Sequence, residues 1–169
     1  MPIRPATEAD IPAITAIFNE VIATSTAIYA DDPFTEEDRR AWFAQRRAAG
    51  YPVLVAEEDG EVLGLASFGE FRAWPGFRHT VEHSVHVRDG ARGRGIGTAL
   101  VAALFEPARA LGKHVMIAGV DAANAGSIRM HERLGFARGA VLREVGRKFG
   151  RWLDLELMQK FLDAPGAPR

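Results

Sequence analysis

The 169-residue chain predicts an α+β fold built on a mixed sheet, and three observations carry that prediction. Near the N-terminus, Ile11, Ile14, Ile17, Phe18, Val21 and Ile22 recur at helical spacing. The stretch "YPVLVAEEDGEVLGLASFGEF" reads as two strands joined by a tight turn at Asp59-Gly60. From Thr80 onward the pattern becomes strand, helix, strand, helix, strand, so parallel and antiparallel neighbours should share one sheet.

Each element has a local cause. Thr7 and Asp10 are the two candidate caps for the first helix, and the polar, proline-bearing "TSTAIYADDPF" after it is a loop. Thr35, followed by acidic residues, starts a second helix through "EEDRRAWFAQRRAAG", which Gly50 ends. "RAWPGFRH" is an arginine- and aromatic-rich loop, and "TVEHSVHV" after it alternates as a strand. A helix is predicted over residues 96–111, bent by Pro107 and ended by Gly112. "HVMIAGV" is a short strand of the buried type, "NAGSIRMHERLGF" a short helix stopped by Gly135, and "ARGAVLREVGRKFGRWLDLELMQKFL" two further strands. Residues 1–163 are expected to form one domain, with 164–169 a flexible tail.

Composition narrows the functional classes. A formal charge of −1 offers no broad footprint for nucleic acid. With no cysteine, disulfides, thiolate metal sites and a cysteine nucleophile are excluded, as befits a reducing cytoplasm. No stretch approaches the roughly 20 apolar residues of a membrane span. His83 and His86 are three apart on one strand and should point to opposite faces, so no metal is expected.

The segment "RDGARGRGIGTAL" is the strongest chemical signal. Its glycines allow successive main-chain N–H groups to converge, and the helix start adds unpaired donors and a positive dipole end. The result is an anion cradle. A triphosphate loop would need a lysine after the last glycine, where Thr98 stands, and a dinucleotide fingerprint would need different glycine spacing earlier in the chain. The diphosphate of coenzyme A needs neither lysine nor magnesium.

"RGRGIGTAL" is similar to the R/Q-x-x-G-x-G/A signature of the GNAT-superfamily acyltransferases. "TVEHSVHVRDGARGRGIG", "HVMIAGVDAANAGSIRMHERLGF" and "FGRWLDLELMQKFL" resemble the phosphinothricin/methionine sulfoximine N-acetyltransferase branch, and the likeness runs from "IRPATEAD" to "LMQK". The resemblance implies the GNAT fold, a mixed and mostly antiparallel central sheet flanked by helices. It also implies acetyl-CoA as co-substrate and a homodimer; the charge and the lack of an apolar span predict no partner among nucleic acids or membranes. Its cofactor contacts carry over to the main chain of Val85, His86 and Val87, to Gly93, Arg94, Gly95, Ile96, Gly97 and Thr98 at the diphosphate, and to Asn124 and Arg133. For Arg133, an ordinary solvated helix charge is the alternative.

Amide formation requires a base to take a proton from the acceptor amine. Glu82 is the only carboxylate in "TVEHSVHV" and lies three residues before the expected cofactor strand, where a half-buried carboxylate is costly unless paired or functional. The resemblance assigns a glutamate here as base; the alternative is a solvated edge-strand side chain. Many GNAT enzymes carry a tyrosine where this chain has His131, which is the candidate acid for the departing thiolate, or else a packing residue.

For the acceptor, the resemblance points to Arg72, Ala73, Trp74, Glu82, His83 and Ser84. Arg72 and Arg78 are the nearby cations for an amino acid carboxylate. A surface turn stapled by Trp74 is the rival reading of this loop. The implied acceptors are methionine sulfoximine, methionine sulfone and phosphinothricin, with the methionine derivatives favoured. "TSTAIYADDPF" is a candidate to reach a neighbouring subunit's site. A non-catalytic acyl-CoA sensor and an acetyltransferase of protein or polyamine amines are the competing functions.

Overall fold

The computed structural model describes residues 1–163. Seven strands form one sheet in the order β1-β2-β3-β4-β5-β7-β6. They are β1 (Ile3–Pro5), β2 (Val53–Glu58), β3 (Glu61–Glu70), β4 (Thr80–Val87), β5 (Val115–Asp121), β6 (Ala137–Lys148) and β7 (Arg151–Phe161). Every neighbouring pair is antiparallel except β4 and β5, which run parallel. The helices are α1 (Ile11–Thr24), α2 (Glu36–Ala48), α3 (Ile96–Ala103), α4 (Phe105–Ala110) and α5 (Ala125–Arg133). The 164–169 tail lies outside the described residues.

Local chemistry accounts for most boundaries. The Thr35 hydroxyl accepts from the Asp38 N–H at 3.1 Å and caps α2, while Gly50 closes it at φ +72°. Thr7 caps a short 3-10 turn rather than α1, and Asp10, the last residue of that turn and the N-cap position of α1, directs its carboxylate back to the Thr7 N–H at 2.7 Å instead of onto α1. Asp59 and Gly60, at φ 51° and 83°, make the β2–β3 turn. Strand β1 has only three residues and no pattern to betray it.

The helix predicted over residues 96–111 is two helices. Pro107 has no N–H for the Ala103 carbonyl, and the chain tightens so that the Leu104 N–H reaches the Val101 carbonyl at 3.1 Å. Helix α4 then restarts with Pro107 in its first turn, where a missing N–H costs nothing.

The two faces of the sheet hold separate cores. Ile14, Phe18, Phe43, Val55 and Leu65 pack beneath α1 and α2. Leu100, Leu104, Met116, Ile128, Phe136 and Met158 pack beneath α3, α4 and α5. One feature of the sheet prepares a site: β4 and β5 pair only from Thr80↔Val115 to His83↔Ala118. Beyond that point the strands separate, so the β5-facing main chain of the second half of β4 has no strand partner.

Candidate active site

Glu82 is the next-to-last residue of β4 before the separation, with Gly69 opposite it on β3 and Ile117 on β5. Its side chain lies on the α1–α2 face, half-buried in a cavity of about 330 Å³ at the mouth of the gap. Burial pushes its carboxyl above the usual carboxylate range, and the Arg72 charge pulls partly the other way. Ser84, Val85, Asp121 and Asn124 line the same cavity.

The glycine loop comes next. Gly93 and Gly95 take φ of 76° and 78°, conformations glycine adopts without strain, and Gly95 leads into α3. Through Thr98, the loop amides find no acceptor among the described residues. The Arg94 guanidinium is held at 2.7 Å by Glu58, so its side chain is already paired within the protein. Six successive amides without internal partners at a helix start suit a diphosphate.

On the opposite face of β4, His83 meets α5. The two Nε2 atoms of His83 and His131 are 3.1 Å apart, and Nδ1 of His131 lies 2.8 Å from the Ser127 carbonyl. A carbonyl only accepts, so His131 carries its hydrogen on Nδ1 and accepts from His83 through Nε2. Burial lowers the pKa of His131; burial and the neighbouring His131 and His86 push His83 down to about 3. Both rings are therefore neutral at physiological pH. His86 turns to the other face against Phe18, with ring centroids 5.0 Å apart, as the strand alternation requires. No group of three or more His, Asp or Glu side chains among the described residues could hold a metal ion.

The loop before β4 is placed differently from the rest. Arg72 lies over the Phe71 ring at 4.3 Å and donates to the Phe71 carbonyl, close enough for its charge to act on Glu82. Ala73 is exposed, Trp74 is 77% exposed and staples nothing, and Arg78 donates to the Pro75 carbonyl. None of these four lines the cavity. Arg133 is exposed in the last turn of α5.

Several cavity residues escape a reading of the sequence. Ala27, Ile28 and Phe34 come from the segment between α1 and α2, which folds over this chain's own cavity. Lys148 at the end of β6 holds it there, donating to the carbonyls of Ser25 and Ile28 at 2.7 and 2.8 Å. Asp121 accepts from Thr26 and from the Ala123 N–H. Arg39 of α2 also faces in; the signal available was a helix whose inward Trp42 and Phe43 are flanked three and four positions away by arginines.

Residues 14–136 match the family model described as the acetyltransferase (GNAT) family. The chain is 52% identical over 162 residues to the L-methionine sulfoximine/L-methionine sulfone acetyltransferase of Pseudomonas aeruginosa, covering 95% of this chain and 94% of that protein. It is 49% identical over 168 residues to the L-amino acid N-acyltransferase MnaT of Escherichia coli, covering 99% and 98%. Among solved structures, a GNAT-superfamily phosphinothricin acetyltransferase from Sinorhizobium meliloti in complex with acetyl-CoA superposes with a TM-score of 0.94 at 36% identity, over 99% of this chain and 91% of that one.

Proposed function

The chain belongs to the GNAT acetyltransferase family and is an N-acetyltransferase, and we propose that it transfers acetyl from acetyl-CoA to the α-amino group of a small amino acid analogue. The acceptor class follows that of its relatives, methionine sulfoximine and methionine sulfone first and phosphinothricin second. The observation that carries the reading is Glu82, half-buried with a raised pKa where β4 leaves β5, on the strand that runs into the loop of unpartnered amides.

In this reading, the main-chain N–H groups of Gly93, Arg94, Gly95, Ile96, Gly97 and Thr98 bind the diphosphate. The free edge of β4 at Val85, His86 and Val87 pairs with the pantetheine arm. Acetyl-CoA supplies a thioester whose acyl carbon the amine attacks. Glu82 takes the amine proton as the C–N bond forms and the C–S bond breaks, and a β4 N–H near Val85 stabilises the developing oxyanion. The bonds of His131 to Ser127 and His83 favour positioning of α5 over proton donation, and the thiolate then takes its proton from solvent. Asn124, whose side chain caps α5 by accepting from the Ser127 N–H, and Arg133 in the last turn of that helix are the further cofactor contacts of this reading. For the acceptor, this reading assigns Arg72, Ala73 and Trp74 together with Glu82, His83 and Ser84.

A homodimer, a cytoplasmic location and a detoxifying role complete the proposal. The long edge strand β6 and its hairpin expose Val141, Leu142, Val145, Phe149 and Trp152, more apolar surface than an edge left in water usually carries. No helix among the described residues is long and apolar enough to cross a membrane.

The test is release of free thiol on mixing the protein with acetyl-CoA and methionine sulfoximine. Wild type is expected to turn over and E82Q to lose about two to four orders of magnitude in kcat with acetyl-CoA affinity kept. Binding of acetyl-CoA without turnover of any amine would make the protein a sensor instead.

A further inference from the structure

Arg39 is an arginine on the wrong face of its helix. Its guanidinium carbon lies 3.7 Å from the centroid of Phe34, 4.8 Å from Phe18 and 5.4 Å from Trp42. The aromatic groups cover its faces, and its Nε is buried without a hydrogen-bond partner. Among the described residues it forms no ion pair. Asp38, one position before it, is engaged by the Thr35 N–H and hydroxyl; of the two carboxylates that share its cavity, Asp121 is engaged by Thr26 and the Ala123 N–H, and Glu82 makes no ion pair with it. It is also the one arginine or lysine among the described residues lining the cavity that holds Glu82.

A half-buried guanidinium with aromatic faces and no counter-ion is costly unless something anionic arrives. Its planar fork matches a carboxylate. Methionine sulfone carries one full negative charge, the α-carboxylate, because the sulfone is neutral; methionine sulfoximine at neutral pH is alike. The α-carboxylate is also one carbon from the amine that must meet the base. Arg72 and Arg78, by contrast, donate to carbonyls of their own loop and stay outside the cavity lining.

We infer that Arg39 receives the α-carboxylate of the acceptor and so determines that the enzyme acetylates amino acids rather than simple amines. The inference rests on the amino acid acetyltransferase reading above and moves carboxylate recognition from the loop before β4 to the first turns of α2.

The experiment compares methionine sulfone with its α-carboxamide as acceptors for wild type, R39Q, R39K and R72Q. The carboxamide amine is the less basic and so is more often free to react, which means any preference for the acid comes from the protein. Wild type is expected to prefer the acid in kcat/KM by about 100-fold, the scale of a lost charge-assisted pair. R39Q should collapse that preference to within about threefold, mainly through KM for the acid, while R39K recovers part of it and R72Q keeps most of it. Unchanged acetyl-CoA affinity by calorimetry reports an intact fold in each variant. R39Q with the wild-type preference overturns the role of Arg39 alone, as does a wild type that prefers the carboxamide, a result that needs no variant. A wild type that turns over neither acceptor removes the amino acid reading itself, and this inference with it.

Discussion

An oxygen of the Glu82 carboxylate stands 3.0 Å from the point where a Cβ on Gly119 would lie. The glycine at this position of β5 is therefore the space in which the carboxylate sits, facing the gap between the two strands. Gly119→Ala should push the carboxylate aside by a few tenths of an ångström and leave the backbone as it is. We expect kcat/KM to fall by about tenfold, since a misplacement of about 1 Å costs about a hundredfold. Acetyl-CoA affinity and the melting temperature should hardly move. Steady-state kinetics beside a thermal melt check this, and wild-type kinetics in the variant would show that the position of the carboxylate is immaterial.

Burial raises the Glu82 pKa and Arg72 lowers it. Glu82 as the proposed base must be ionised, so activity is lost as pH falls through the raised value. The acidic limb of kcat/KM should therefore lie above the ordinary glutamate range near ~4.3. Arg72→Gln removes the compensating charge and should carry that limb to still higher pH. A pH–rate profile of the two proteins gives the answer; a limb that stays put, or moves down, separates Arg72 from Glu82.

The buried imidazoles make an acid-sensitive fold. His83 holds off its proton to about 3 and His86, desolvated and near the Arg92 charge, to about 4. In the unfolded chain both protonate near ~6.5. Between those values the unfolded state binds more protons, so stability falls as pH drops below about 6.5 and keeps falling until the folded rings titrate as well. Each ring contributes up to about 1.4 kcal/mol per pH unit. Urea denaturation at pH 7 and pH 5 should show this, with a shallower loss in His86→Asn. An identical pH slope in that variant would place the sensitivity elsewhere.

Lys148 ties the far end of β6 to the segment over the cavity through the carbonyls of Ser25 and Ile28. Lys148→Met strands both carbonyls, at a cost of about 1–3 kcal/mol. It also frees Ala27 and Ile28, which line the cavity that holds Glu82. Acceptor KM should rise about fivefold to tenfold with kcat less affected, because the proposed base lies on β4. Thermal melts and acceptor titrations decide it, and an unchanged KM would mean that the segment does not touch the acceptor.

Much of this protein was legible residue by residue. Thr35, Gly50 and the Asp59-Gly60 turn announce themselves because caps and turns are local, decided by a few neighbouring groups. The cradle is legible for the same reason: Gly93 and Gly95 take the left-handed conformation that their type permits. Glu82 stands out as the one carboxylate on its strand, β4. Less visible was the break at Leu104, where Pro107 acts three residues upstream of itself. The bonding of His131 was also hidden, since it depends on His83, 48 positions away.

By itself, the order of residues determined which segments become strands and helices, and that a nest of main-chain amides precedes α3. Those outcomes depend on contacts a few residues long. Only the tertiary structure decided which charges meet in the cavity. It brings Arg39 inward while leaving Arg72 and Arg78 outside the lining, and it folds the segment between α1 and α2 over the chain's own Glu82. The physical reason is that burial, and with it the cost of an unpaired charge, is a property of surfaces brought together from distant parts of the chain.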